Sequence, residues 1–177
     1  MVTATDSQEL LDIVDESDRV IGVDTRHTIH ARGLLHRATH ILVFNSAGEL
    51  FIQKRSMDKD SEPGLWDSSA AGHVKSGEDY YACASRELDE ELGLAIESPL
   101  EMLFLLPPEK SFRLEHCMVF RYYSDGPFDL QTEEVSDGKW IGADELDRRV
   151  CASDPSLTST LRSIWQRIRT DGVAHSH

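Results

Sequence analysis

Residues 72–94 read GHVKSGEDYYACASRELDEELGL, and this stretch decides the fold. It places three carboxylates, Glu87, Glu90 and Glu91, directly after Arg86. At about 100° per residue in a helix, these three side chains share one face. Glu87 and Glu91 form an i,i+4 pair of like charges, which costs an isolated helix roughly 0.2–0.5 kcal/mol. Such a cluster favours a hard cation, because Mg²⁺ takes oxygen ligands and accompanies phosphate-bearing substrates.

The residues around this cluster predict where the helix begins and ends. Ser76 can cap a helix whose first turn carries Glu78 and Asp79, since carboxylates are favoured near a helix N-terminus. Gly93 suits the position after the last helical residue, where φ is often positive. The sequence therefore predicts a helix over roughly 78–92, with its acidic stripe facing outward. The residues predicted to pack inward are Tyr81, Ser85, Leu88 and Leu92.

The stretch resembles the Nudix box, the pattern G-x5-E-x7-R-E-U-x-E-E-x-G-U in which U is aliphatic. Every fixed position is filled, in order, by Gly72, Glu78, Arg86, Glu87, Leu88, Glu90, Glu91, Gly93 and Leu94. A bare R-E-x-x-E-E would be a weak signal, because charged helix faces are usually just solvated, but the glycines and Glu78 are also in register. The resemblance implies an α/β fold of the Nudix type, an α/β/α sandwich with a mixed central sheet.

The same resemblance implies a metal-dependent hydrolase. The substrate would carry a diphosphate linkage, either a nucleoside diphosphate joined to another moiety or a related small diphosphate. An activated water would cut the linkage with the help of Mg²⁺ or Mn²⁺. The implied metal ligands are Glu87, Glu90, Glu91, the carbonyl of Gly72, and Glu78, which also fixes the loop and would reach the metal through water.

The implied catalytic residues are Glu90, Glu87 and Arg86. Arg86 is expected to orient Glu90 or its neighbours rather than to touch the substrate. One of the box glutamates is expected to act as ligand or base. A base from a later part of the chain, Glu115 or Glu134, is the open alternative.

Residues 34–80 also resemble the type 1 isopentenyl-diphosphate isomerases, a branch of the Nudix fold. The matching segments are LHRA at 35–38, QKRS at 53–56, PGLW at 63–66 and GH at 72–73. In that branch, histidines at the positions of His36 and His73 bind a divalent metal, and glutamates at Glu78 and Glu115 assist. The resemblance therefore implies a second metal site at His36, His73 and Glu115.

This chain departs from the isomerase pattern at two positions. The isomerases have a cysteine just before the Gly-His pair, where this chain has Ala71, and alanine has no proton to transfer. The isomerases have a second acidic metal ligand at the position where this chain has Arg113, and an arginine there would repel a cation. Hydrolysis is therefore the favoured chemistry. An isomerase with displaced catalytic groups and a non-catalytic nucleotide or diphosphate sensor remain as alternatives.

The resemblance to the isomerases also implies residues that bind the diphosphate. Basic residues at the positions of Arg26, Arg55 and Lys59 would bind phosphate oxygens, with arginine as a bidentate fork and lysine as a point charge. Trp66, which follows a Pro-Gly turn, is expected to line the substrate pocket.

The composition indicates one domain with short arms. The chain has 177 residues, of which 40% are hydrophobic. It divides into an N-terminal arm with a hairpin at 1–33, a Nudix domain at 34–170 and a mobile tail at 171–177. The hairpin leaves pairing into a homodimer open.

The charge and the cysteines limit the partners and the compartment. The net charge of −14 comes from 32 acidic and 18 basic residues, and it weighs against a nucleic-acid polymer or an anionic membrane as partner. A small diphosphate substrate remains compatible, because a bound metal and local cations reverse the field inside a pocket. Three distant cysteines without a C-x-x-C pair fit a reducing cytoplasm. We expect neither a secretory signal nor a membrane span.

Periodicity and turn residues predict the other elements. Leu11–Asp15 and Arg19–Asp24 alternate as a hairpin, and residues 25–33 form a short helical turn that ends at Gly33. His40 falls in an apolar strand and is expected to be a core histidine, and residues 56–68 are expected to form a loop. Further strands are predicted at 38–45, 49–55, 100–106, 112–123 and 135–141, and helices at 143–150 and 157–170.

Overall fold

The computed structural model describes residues 8–109 and 114–172. The predicted tail lies outside the described residues from position 173 onward, and so do Arg113 and the predicted start of a strand at Phe112. Within the described ranges, no helix combines the length and the apolar character needed to cross a bilayer.

The N-terminal arm is a hairpin followed by a short helix. Strand β1 (Leu10–Val14) pairs antiparallel with β2 (Val20–Thr25), as predicted. Helix α1 (Arg26–Arg32) follows directly. The Thr25 side chain caps its first turn, and Gly33 ends it with a left-handed φ of 61°.

A mixed sheet forms the centre of the domain, and its central strand is β3 (His36–Phe44). Along its whole length β3 pairs parallel with β8 (Glu115–Tyr123), and β8 pairs antiparallel with β7 (Glu101–Leu106). On its other side β3 pairs antiparallel with the short strand β6 (Ala70–His73). The strand predicted at 100–106 is therefore confirmed within one residue.

A second group of strands extends the sheet. Strand β4 (Leu50–Arg55) pairs antiparallel with β5 (Trp66–Asp67) and with β9 (Val135–Ile141). The sequence prediction missed β6 and placed β5 in a loop. Runs of two and four residues are too short to show the alternation that identifies a strand.

Helices cover both faces of the sheet, which confirms the predicted α/β/α sandwich. Helices α3 (Ala143–Cys151) and α4 (Ser159–Asp171) cover one face, and the box helix α2 (Tyr80–Leu92) covers the other. The core under α3 and α4 includes Leu42, Ile52, Leu146, Leu161 and Trp165. The core under α2 includes Ile41, Val43, Ala84, Leu88 and Leu92. Successive residues of β3 thus point to opposite cores.

Helix α2 begins later than predicted. Its N-cap is Asp79, whose carboxylate accepts a hydrogen bond from the backbone N–H of Ala82 at 2.8 Å. Ser76, the predicted cap, instead donates its hydroxyl to Asp12 in the arm at 2.7 Å. The predicted end is confirmed, because Gly93 takes a left-handed φ of 61° after Leu92.

The prediction that the acidic stripe faces outward is wrong for two of its three carboxylates. Glu87 and Glu91 are 8% and 3% exposed, whereas Glu90 is exposed. Tyr81, predicted to pack inward, is exposed, and Ser85 is half-buried. The buried face of α2 therefore includes part of the acidic stripe, because the sheet beneath the helix leaves room for two carboxylates.

The arm is fastened to the domain by burial and by one acidic residue. Leu11 and Val14 of β1 are buried. Asp18, in the hairpin turn, accepts hydrogen bonds from Arg37 Nε at 2.7 Å and from the Tyr80 hydroxyl at 2.9 Å. The arm thus joins the central strand to the start of the box helix. Pairing of two copies through the hairpin stays a prediction.

Candidate active site

Glu91 is the least exposed of the box glutamates and is held by three separate segments. Its Oε2 accepts hydrogen bonds from Gln53 Nε2 at 2.8 Å and from the Ala71 N–H at 2.9 Å. Its Oε1 lies 4.0 Å from the Lys59 ammonium. The carboxylate of Glu91 is therefore fixed beneath α2, between β4 and β6.

Glu87 lies directly over Gly72, and the absence of a side chain there makes its position possible. A Cβ atom on Gly72 would stand 1.8 Å from Glu87 Oε1. The first glycine of the box is thus explained by a close approach. The Gly72 carbonyl, expected to be a metal ligand, lies on the same short strand and is 3.8 Å from the Cys83 thiol.

Arg86 connects the other box carboxylates. Its Nε and Nη2 donate to the two oxygens of Glu78, each at 3.0 Å. Its Nη1 donates to Glu87 at 2.6 Å and to Glu90 at 3.0 Å. Glu78 also accepts from the Lys75 N–H at 3.1 Å. Both Glu78 oxygens are therefore engaged in fixing the loop before α2, whereas Arg86 orients Glu87 and Glu90.

Burial changes the protonation of the paired glutamates. Burial raises the pKa of Glu87 to about 8, with repulsion from Glu91 in the same direction and Arg86 opposing it. Burial also raises the pKa of Glu91, against the lowering effect of Lys59 and of the hydrogen bonds from Ala71 and Gln53. Two like charges in one buried site favour either a retained proton or a cation that balances them.

Lys59 lies beside the acidic cluster, with its ammonium 4.0 Å from Glu91 Oε1. Burial lowers the pKa of Lys59; Glu91 opposes this, and the charges of Arg55 and Arg26 lower it further. The ion-pair partners of these three cations are Glu91 and Glu134 for Lys59, Asp67 for Arg55 and Asp60 for Arg26.

Trp66 lies on the opposite side of the sheet from the acidic cluster. It packs against the core covered by α3 and α4. The ammonium groups of Lys54 and Lys139 lie 5.9 Å and 4.6 Å from its ring centroid. Trp66 therefore packs against this core, and its contact with a substrate stays a prediction. A two-residue strand gives no sequence signal of the face to which its side chains point.

Three histidines from different elements converge next to the acidic cluster. His30 of α1, His36 of β3 and His73 of β6 each place a ring nitrogen within 4.8 Å of the others. Glu115 Oε2 lies 3.6 Å from His36 Nε2 and 3.8 Å from His73 Nε2. The sequence interpretation grouped His36, His73 and Glu115 but missed His30. The only signal for His30 was the crowding of histidines in the N-terminal third of the chain.

The ring of His36 is oriented by its backbone contact. Its Nδ1 lies 3.0 Å from the Leu34 carbonyl, and because a carbonyl oxygen only accepts, Nδ1 is the donor and Nε2 faces the cluster. Within the described part of the chain, this buried Nε2 has no hydrogen-bond partner. Burial, followed by the neighbouring histidines, lowers the pKa of His73 well below its usual range. Partial burial and His36 lower that of His30 to about 4. Three imidazole nitrogens and one carboxylate are ligands that fit a divalent transition metal.

Strand β6 joins the two clusters. Ala71 donates its N–H to Glu91, Gly72 lies beneath Glu87, and His73 belongs to the histidine cluster. Three successive residues thus serve both groups, so the acidic cluster and the histidine cluster adjoin each other.

The substitution Gly72→Ala is expected to displace Glu87 and to destabilise the protein. The added methyl would occupy the place of Glu87 Oε1, so the carboxylate and α2 must shift. Overpacking of this kind costs about 1–3 kcal/mol, which urea unfolding would measure. Gly142→Ala is the control, because nothing lies within 4 Å of its added Cβ. Equal stability of the Gly72→Ala and wild-type proteins would contradict the close approach.

The stability of the metal-free protein is expected to fall as the pH rises. Glu87 keeps its proton in the folded state up to a pH of about 8, whereas the unfolded chain loses it near the ordinary glutamate pKa of about 4.3. Between these values the folded state binds more protons, so the free energy of unfolding decreases with pH, by at most about 5 kcal/mol in total. Urea unfolding in EDTA from pH 5 to 9 would show this slope, and Glu87→Gln should flatten it. If the free energy of unfolding had the same pH slope in the wild-type and Glu87→Gln proteins, groups other than Glu87 would cause the pH dependence.

Comparison with known proteins identifies the family of the chain. The NUDIX domain matches residues 34–161. An uncharacterized Nudix hydrolase of Pseudomonas aeruginosa is 44% identical over 161 residues, which cover 91% of this chain and 94% of the relative. A Photorhabdus laumondii protein named isopentenyl-diphosphate Delta-isomerase 2 is 37% identical over 172 residues, covering 94% and 93%.

A solved structure shows the same fold. The crystal structure of the Deinococcus radiodurans protein DR0079 superposes with a TM-score of 0.80 at 29% identity, covering 90% of this chain and 98% of that one. The domain match spans most of the chain, and both sequence relatives exceed 30% identity over nearly all of it. The chain belongs to the Nudix hydrolase family.

Proposed function

We propose that the protein hydrolyses a diphosphate linkage in a small molecule with the help of a divalent metal. The observation that carries the proposal is the buried pair Glu87 and Glu91, with the Lys59 ammonium 4.0 Å from Glu91. Acidic and basic groups side by side fit a metal–diphosphate complex, because its metal is positive and its phosphates are negative. The substrate class is a nucleoside diphosphate linked to another moiety, or a related small diphosphate.

The box carboxylates fit a hard ion such as Mg²⁺ or Mn²⁺. Glu87, Glu90 and Glu91 would supply oxygen ligands, with the carbonyl of Gly72 beside them. The fit is supported by the burial of Glu87 and Glu91 and by their raised pKa values, which indicate a site short of positive charge. When bound, the ion would neutralise the diphosphate and lower the pKa of a water molecule. Glu78 is assigned to the loop instead, because Arg86 and Lys75 engage both of its oxygens.

The three cations bind the phosphate oxygens in this proposal. Arg26 and Arg55 present planar forks that suit paired oxygens, whereas Lys59 acts as a point charge. Lys59 also lies 4.0 Å from Glu91, so it stands between the metal-binding carboxylates and the phosphates. Arg86 acts through Glu87 and Glu90 rather than on the substrate.

Two carboxylates are candidates for the base that accepts the proton of the attacking water. Glu90 is the exposed member of the box and is held by Arg86 at 3.0 Å. Glu134 pairs with Lys59 on the other side of the cluster. Glu115, a third candidate from the sequence, lies 3.6 Å and 3.8 Å from two histidines and belongs to their cluster.

We also propose a second divalent metal at His30, His36, His73 and Glu115. The supporting observations are the buried, unpaired Nε2 of His36 in the described structure and the lowered pKa values of His30 and His73. Three imidazole nitrogens with one carboxylate are a donor set typical of Zn²⁺ or Mn²⁺.

Isomerisation of an isopentenyl diphosphate is a second candidate function. The histidine cluster favours it, and one relative carries an isomerase name. Ala71 weighs against it, because a methyl group cannot deliver a proton at the position of the isomerase cysteine. The products separate the two reactions, since hydrolysis releases phosphate or a monophosphate and isomerisation keeps the diphosphate. A sensor would bind without turnover, and the complete set of box glutamates weighs against that role.

The substitution Glu91→Gln is expected to lower turnover by about 10³-fold or more, because it removes a metal-ligand charge at the reacting centre. The measurement is release of phosphate or monophosphate from a panel of diphosphate compounds with Mg²⁺ or Mn²⁺. Circular dichroism would check that the variant folds. Asp89→Asn, exposed on the same helix, is the control and should stay within about twofold of wild type. Near wild-type turnover in Glu91→Gln would remove this residue from the mechanism.

The substitution His36→Asn is expected to abolish the second metal. The buried Nε2 supplies a ligand, and loss of one ligand typically costs metal affinity by at least about 10–100-fold. Elemental analysis after dialysis against Mn²⁺ or Zn²⁺ would count bound ions. His27→Asn, on the exposed side of α1, should leave the count unchanged. Full occupancy in His36→Asn would show that the cluster holds no metal.

A further inference from the structure

Arg55 contacts a buried carboxylate, Asp67, which no motif in the sequence singles out. Asp67 of β5 is 2% exposed, and its Oδ2 accepts a hydrogen bond from Arg55 Nη1 at 3.2 Å. On its other edge, Arg55 donates from Nε and Nη2 to the Ser61 carbonyl at 3.2 Å and 3.1 Å. The guanidinium is therefore fixed from two directions.

The geometry points to Asp67 as a positioning residue that presents Arg55 to the diphosphate of the substrate. The inference rests on the proposed function, because it takes Arg55 to bind phosphate. Asp67 itself is too deeply buried to contact the substrate. It acts by holding the guanidinium in one orientation before the substrate arrives, which reduces the ordering that binding requires.

The two oxygens of Asp67 have different tasks. Oδ1 accepts hydrogen bonds from the Ser68 N–H at 2.8 Å and from the Thr158 hydroxyl at 2.9 Å. Thr158 is the N-cap of α4, so Oδ1 joins β5 to that helix. Oδ2 is the oxygen that faces Arg55. The structural contacts and the contact toward the site therefore lie on separate atoms and can be changed separately.

A buried histidine supports the charged state of Asp67. His40 of β3 places Nδ1 3.7 Å from Asp67 Oδ1 and 2.7 Å from the Ser68 hydroxyl. Burial alone would raise the pKa of Asp67, but His40, Arg55 and the two hydrogen bonds to Oδ1 outweigh it and hold this pKa below its usual range. The carboxylate is thus an anion at neutral pH, and a buried anion orients a guanidinium more firmly than a neutral group does.

The test measures binding of methylenediphosphonate, a diphosphate that cannot be hydrolysed, by calorimetry with saturating Mg²⁺. Five proteins are compared, namely wild type, Asp67→Asn, Arg55→Ala, the double variant and Thr158→Val. Asp67→Thr is a second variant with a smaller side chain, in case Asp67→Asn does not fold. Thr158→Val is the matched control, because it removes a partner of Oδ1 and leaves Oδ2 and Arg55 in place.

Arg55→Ala is expected to weaken binding about 100-fold, because it removes a charged contact with the phosphate. Asp67→Asn is expected to weaken binding about tenfold, because it removes only the orientation of that contact. In the Arg55→Ala background, Asp67→Asn should change affinity by less than about twofold, because its effect passes through Arg55. Thr158→Val should lower the melting temperature and leave affinity within about twofold.

Two results would overturn the inference while the proposed function stands. One is unchanged affinity in Asp67→Asn alongside weakened affinity in Arg55→Ala. The other is an equal loss from Asp67→Asn with and without Arg55, which would show a general effect on the fold. Absence of binding by the wild-type protein would overturn both proposals. Tight binding with the expected coupling, but no hydrolysis of any diphosphate, would overturn the proposed function alone.

Discussion

The burial of two carboxyl groups beneath one helix is the constraint on which the rest of the site depends. Glu87 and Glu91 stand one turn apart on α2 and both face the sheet, where burial disfavours two negative charges and raises the pKa of each group. Their position requires Gly72, since any side chain there would occupy the space of Glu87. It also requires Arg86 and Lys59 to balance the charge. The box is thus a set of mutually dependent parts, in which the glycine provides space, the arginine provides order and the glutamates provide charge.

The same constraint explains why the loop before α2 is so firmly held. Arg86 can orient Glu87 only if its own guanidinium is fixed, and Glu78 fixes it through two hydrogen bonds of 3.0 Å. Glu78 in turn is fixed by the Lys75 N–H. The carboxylates of the box therefore differ in their contacts, and Glu78 has both oxygens engaged by Arg86, with a further hydrogen bond from the Lys75 N–H. A buried charge that lost its partner here would be strongly destabilising.

The sequence predicted the elements better than their packing. The box gave α2, its end at Gly93 and the family, because those features depend on local spacing. It gave Leu88 and Leu92 as buried but not Glu87 and Glu91, since the space for these two glutamates is created by Gly72 and Ala71 on a four-residue strand with no periodic signal. Asp67 and Gln53 were missed because their partners, Arg55 and Glu91, are near them only in the fold.

The N-terminal arm contributes residues to the candidate site although it lies outside the matched domain. The NUDIX domain match begins at residue 34 and leaves out α1. Yet α1 supplies His30 to the histidine cluster and Arg26 to the group of cations. The hairpin before α1 is buried at Leu11 and Val14 and braced at Asp18, so α1 has little freedom to leave. The acidic cluster is carried by the box helix, whereas the histidine cluster is completed only by the arm. The arm is therefore part of the candidate site, although it lies outside the domain match.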